Sequence, residues 1–130
     1  MMKWTMLKAW LLGAAVLVVA HAMWWGVAAG IDRAEGLRVI LFIFPVLAAF
    51  LVTYLSPSRK IALGMSMGIF GAVVGMFAMF LYEQLGYHVD QIGGPIATIS
   101  ILLAVHLAYA FAGTVIGYLA VRFRSKRLSS

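Results

Sequence analysis

Two histidines, His21 and His106, and a nearby tyrosine, Tyr109, are the side chains here whose chemistry would matter most inside an apolar phase. A neutral imidazole ligates transition metals and haem iron, and it exchanges protons near neutral pH. At 1.5 Å per residue of helix, His21 stands roughly 20 Å from Lys8, and His106 stands roughly 24 Å from Arg122. The two imidazoles therefore fall at similar depths. His106 shares a helix face with Tyr109, Gly113 and Gly117, which directs it toward neighbouring helices. Two histidines facing each other at one depth are candidate axial ligands for a b-type haem, or binders of a quinone or a divalent metal. His21, His106 and Tyr109 could equally line a polar path. The plainer expectation is that each imidazole hydrogen-bonds an adjacent helix.

A second cluster combines Glu83, His88 and Asp90. These are acceptable ligand types for Zn²⁺ or Mn²⁺, but their spacing matches no established metal pattern, and a solvated acidic loop accounts for them as well. Other chemistry is excluded by residue type. The chain has no cysteine, which removes disulfides and thiolate sites. It shows no phosphate-binding glycine loop, no HExxH, no nucleophile elbow and no internal repeat. Apart from the histidines and tyrosines, no ionisable group lies deep in an apolar run, so the carboxylates of a proton-driven exporter or a membrane hydrolase are missing.

The elements that must position these residues are set by where charge is absent. Residues 9–31, 39–58, 61–82 and 91–121 carry no Asp, Glu, Lys or Arg. Each run meets the roughly 20 residues that a helix needs to cross a hydrocarbon core about 30 Å thick. Lipid offers no partner to backbone amides, so these runs must be helices, and the alternating ten-residue pattern of a membrane β-barrel is not seen. Helices are expected over about 7–30, 38–55, 59–83 and 94–121. Composition agrees: 65% of residues are hydrophobic, 11% are charged and the mean hydropathy is +1.03. A soluble domain carries about 25% charged residues.

The connections are short enough to make consecutive helices antiparallel neighbours. Pro57 ends the second helix, Ser58 is the expected N-cap of the third, and Pro45 is expected to kink the second from within. The third connection holds Gly86, Gly93, Gly94 and Pro95, all turn formers.

Sidedness follows from the basic residues. Lys3, Lys8, Arg59, Lys60, Arg122, Arg124, Lys126 and Arg127 fall at one end, while Arg33, Arg38 and all four acidic residues fall at the other. Eight against two places both termini in the cytoplasm. Trp4 and Trp10 near one end of the first helix, with Trp24 and Trp25 near the other, match interfacial aromatic belts. The basic tail is explained by attraction to anionic lipid, with docking of a partner as the alternative. A rival reading of the N-terminus takes Ala20-His21-Ala22 as a signal-peptide cleavage site, but the apolar run continues to Ile31.

Glycine is concentrated in the last two helices. Gly64, Gly68, Gly71 and Gly75 form one stripe, and Gly113 and Gly117 repeat the small-xxx-small spacing beside Ala104, Ala108 and Ala112. Such stripes let helix backbones approach closely, either inside the bundle or between copies. Met65, Met67, Met76 and Met79 are expected to fill gaps.

The sequence thus describes an all-α integral membrane protein, a single domain over 1–130 forming a four-transmembrane-helix up-down-up-down bundle. Its expected location is a bacterial cytoplasmic (inner) membrane. The expected role is that of a non-enzymatic accessory or structural subunit, or a homo-oligomer packed through the glycine-rich third and fourth helices. The alternatives are a small oligomeric transporter or channel, and an electron-transfer subunit binding haem b or quinone at His21 and His106. Expected partners are the lipid bilayer and either copies of the chain or a larger membrane complex. Nucleic acid is not among them, because the basic residues punctuate apolar runs and form no patch interleaved with aromatics.

Overall fold

The computed structural model describes residues 3–28, 38–86 and 93–129. Four helices fill these segments: α1 (Met6–Ala28), α2 (Arg38–Leu55), α3 (Lys60–Gln84) and α4 (Pro95–Ser129). Three of them, over Met6–Trp24, Lys60–Gln84 and Pro95–Ser129, are long and apolar enough to cross a membrane. α2 contributes a shorter apolar stretch, Phe42–Leu55. It runs on past Pro45, which is buried within it.

The fourth helix departs from expectation. It does not stop near residue 121 but continues to Ser129, giving 35 residues. At 1.5 Å per residue that is roughly 52 Å, well beyond a hydrocarbon core of about 30 Å. Arg122 to Leu128 contain no glycine or proline to end it, and the hydroxyls of Ser125 and Ser129 donate to the carbonyls of Arg122 (2.9 Å) and Lys126 (3.0 Å). Lys126 and Arg127 in the last turn complement the negative end of the helix dipole.

α2 and α3 pack against each other and against both outer helices, whereas α1 and α4 barely meet. The core joins Leu17 of α1, Ala48, Ala49 and Val52 of α2, Met67 of α3 and Ala110 of α4. Small residues dominate because lipid is as apolar as leucine, so burial by itself drives no association and close van der Waals contact must do so. Gly13 joins this layer: a methyl there would lie 2.8 Å from Met67 Sδ and 3.2 Å from Ala48 O. Its partner in small-residue spacing is Ala9, which is fully buried. Large apolar side chains such as Phe77, Phe80 and Phe111 point outward, as a lipid-facing surface requires.

The turn between α2 and α3 corrects a second expectation. Ser58 is not the N-cap of α3: that position is Arg59, in left-handed geometry (φ 49°), with no side-chain capping bond. Ser58 is one residue too early. Its hydroxyl donates to Met6 Sδ (3.1 Å), and its carbonyl accepts from Ser56 Oγ (2.6 Å). The turn is held by Lys60, whose ammonium donates to the carbonyls of Thr53 and Tyr54 (3.4 Å each) and of Ser56. A cation placed there satisfies the orphan carbonyls at the end of α2 and neutralises its dipole.

Candidate functional site

The glycine stripe of α3 is the floor of the site. Gly64, Gly68, Gly71 and Gly75 are all buried, and each faces a side chain from another helix. At Gly71 a methyl would come 2.7 Å from Cδ2 of His106, and at Gly75 it would come 3.2 Å from Nε2 of His21. The missing side chains of α3 thus make the space into which α1 and α4 each send an imidazole. The two rings stack, with centroids 5.5 Å apart and planes inclined by 21°. They meet where the two outer helices otherwise leave each other alone.

Each ring is held by its own helix. Nδ1 of His21 bonds the Leu17 carbonyl (2.9 Å), and Nδ1 of His106 bonds the Leu102 carbonyl (2.8 Å). A carbonyl only accepts, so each Nδ1 carries the hydrogen and, in the neutral ring, each Nε2 presents a lone pair. The expected bond from each imidazole to a neighbouring helix is therefore replaced by a bond one turn back along its own helix. Nε2 of His106 is buried without a hydrogen-bond partner. Tyr109 stands edge-on to His106 at 6.4 Å and edge-on to Phe42 at 5.8 Å, so it belongs to the same level.

A second polar level lies over Gly64. A methyl there would overlap both Thr53 Oγ1 and Thr114 Oγ1, so two hydroxyls from α2 and α4 share that space. Both oxygens are buried without a partner. Sequence reasoning missed these threonines. Their only signal was a hydroxyl inside an apolar run, in Thr114 next to the Gly113 spacing. Between the two levels runs an apolar layer: Gly68 packs on Leu107 and Ala110, within the cluster of Leu17, Val52 and Met67. The histidine level is therefore not continuous with the threonine level.

The glycines of α4 are used differently. A methyl at Gly113 would overlap the Val46 carbonyl oxygen and lie 3.0 Å from the Phe50 amide, and one at Gly117 would lie 2.9 Å from the Phe50 carbonyl oxygen. All six stripe glycines thus meet neighbours within one chain, the first of the two uses that their spacing allows. Ala104, Ala108 and Ala112, by contrast, are exposed.

Bis-histidine haem ligation needs two Nε2 atoms opposed across a macrocycle. Nearly parallel stacked rings lying on a glycine floor leave no slot for a porphyrin, and the same close filling disfavours a quinone. Among the described residues no three of His, Cys, Asp and Glu come together, so the pair has no third metal ligand. Of the loop cluster, Glu83 is exposed near the end of α3, while His88 and Asp90 lie outside the described residues.

Two further residues have tertiary roles that the sequence did not assign. Trp10 is not simply an interfacial anchor: its Nε1 donates to Ser66 Oγ (3.0 Å), and its ring meets Phe70 edge-on at 5.0 Å, tying α1 to α3. Gly64-Met65-Ser66-Met67-Gly68 spells G-x-S-x-G, yet it lies within continuous helix. Ser66 is bound to Trp10 and to the Leu63 carbonyl (2.6 Å), which is not the exposed strand-to-helix turn of a nucleophile elbow. Comparison of the chain with protein-family models, curated proteins and solved structures finds no match.

Proposed function

We propose that the chain is a non-enzymatic accessory or structural subunit of a bacterial cytoplasmic membrane. In this reading it crosses the bilayer four times, up-down-up-down, with both termini in the cytoplasm. The observation that carries the proposal is the use of both glycine stripes and both stacked histidines for packing within one chain, which makes the bundle a finished unit. What it offers a neighbour is its outside. There Ala104, Ala108 and Ala112 keep small-residue spacing on an exposed face of α4, suited to a helix of a copy or of a larger membrane complex.

The test is reconstitution of the purified chain into liposomes containing a pH-sensitive dye. A structural subunit leaves proton permeability equal to that of empty liposomes. A flux that His106→Leu abolishes, with the bundle still folded, would refute the proposal. Sidedness is read separately from a C-terminal reporter fusion, which should be active only as a cytoplasmic reporter.

A second reading, a small oligomeric transporter, draws support from one observation: His106 Nε2, Thr53 Oγ1 and Thr114 Oγ1 are buried without partners along one face of α3. Unmet polar groups in an apolar interior cost free energy, and a permeating proton or water would satisfy them. The apolar layer between the two levels weighs against it.

A further inference from the structure

The extension of α4 past the apolar run leaves a cleft that the packing of the bundle does not account for. It lies between the end of α2 and the last turns of α4, has a volume of about 550 Å³, and is lined by Tyr54, Ala120, Phe123, Arg124, Arg127 and Leu128. Along α4 its lining runs from apolar to basic, with Leu128 at the far rim. Ala120 and Phe123 lie nearest the apolar run, and Arg124 and Arg127 follow within the next turn. The Arg124 guanidinium is already oriented: its Nη1 donates to the Tyr54 hydroxyl (3.2 Å), and its carbon sits 5.9 Å over the Tyr54 ring. That uses one of five guanidinium donors, and the others can meet a second group.

We propose that this cleft is a binding site for the headgroup of an anionic phospholipid. The phosphate would bond Arg124 and Arg127, and the start of an acyl chain would lie along Phe123 and Ala120. Charge complementarity selects the occupant. Two arginines give the forked donor geometry that phosphate takes, and basic pockets between helices at a membrane surface are where anionic headgroups bind. The apolar residues on the membrane side require an amphiphile, which a free anion is not. The levels agree as well, since the uncharged run of α4 ends at Val121 and the arginines begin at Arg122. The inference rests on the membrane-embedded fold and not on the accessory role, so a failed lipid test and a measured proton flux are distinguishable results.

The experiment uses the full chain in phosphatidylcholine nanodiscs doped with phosphatidylglycerol, with retained lipid measured by native mass spectrometry. Wild type should hold anionic lipid in preference to phosphatidylcholine. R124Q/R127Q should lose retention by about 5-fold per arginine, the factor equivalent to about 1 kcal/mol for a cation near the surface. K3Q/K8Q removes the same amount of charge from the chain and should retain lipid nearly as wild type does. Equal loss in both double variants would mean diffuse attraction and would overturn the site. Tyr54→Phe keeps both guanidinium charges and should weaken retention a few-fold by releasing Arg124; unchanged retention in that folded variant would also overturn it. Inorganic phosphate added in excess should fail to displace the lipid, and displacement would show a site for free anions.

Discussion

The glycines of α3 and those of α4 have the same spacing in the sequence and different uses in the bundle. Those of α3 chiefly make room for side chains: Thr53 and Thr114 face Gly64, and His106 and His21 face Gly71 and Gly75, although Gly68 also lies against the Leu107 Cα at 3.0 Å. Those of α4 let one backbone lie against another, because Gly113 and Gly117 face the main chain of α2 at Val46 and Phe50. A side chain in the way can rotate. A backbone carbonyl within a helix cannot move without moving the helix. The small-xxx-small motif therefore states how near a neighbour comes and leaves open what the neighbour is.

The sharpest way to break this contrast is to add one methyl group at a time. Gly113→Ala should be the most damaging, destabilising the bundle by about 3 kcal/mol or more in detergent unfolding, since overlap with the Val46 carbonyl is relieved only by shifting α2. Gly71→Ala should cost about 2 kcal/mol, because the His106 ring must leave its seat at 2.7 Å. It should also separate the two imidazoles, which would appear as a changed histidine ring environment in NMR. Gly75→Ala, with 3.2 Å to the edge of His21, should cost about 1 kcal/mol or less. If the order of Gly113 and Gly71 were reversed, the division between backbone and side-chain seats would be wrong.

The smallest effect should have the opposite sign. Thr53→Val together with Thr114→Val replaces two buried, unpartnered hydroxyls by groups of the same shape and should be neutral or stabilising by about 1 kcal/mol. A loss of several kcal/mol would show that these hydroxyls are engaged, by water or by each other, and would strengthen the transporter reading.

How much of this was legible beforehand depends on the range of the physics. The helix positions were legible, because charge is excluded from a hydrocarbon core residue by residue. The error at the end of α4 has the same origin: the onset of charge at Arg122 marks the end of a span, and a helix ends only where its backbone is broken or competed for. Ser58 failed as a cap because the choice of Arg59 depends on contacts that Ser58 makes with Met6 and Ser56. His21 and His106 were found as a pair by depth. Their stacking, and the turn of each Nδ1 to its own helix, were not readable from depth. Thr53 and Thr114 gave almost no signal, since one hydroxyl in an apolar run is common and their nearness exists only across Gly64.

By itself the sequence determined that the chain forms apolar helices, that its small residues fall on stripes, and that its basic residues gather away from the apolar runs. Each of these follows from local periodicity and from the cost of placing charge in lipid. Only the tertiary structure decided that the nearest atom to each α3 glycine is a side chain's and to each α4 glycine a main-chain oxygen, that both stripes have neighbours within one chain, and that the two imidazoles share a glycine floor. Those outcomes depend on the rotation and depth of each helix relative to partners far away in the chain, and a 3.6-residue repeat fixes neither.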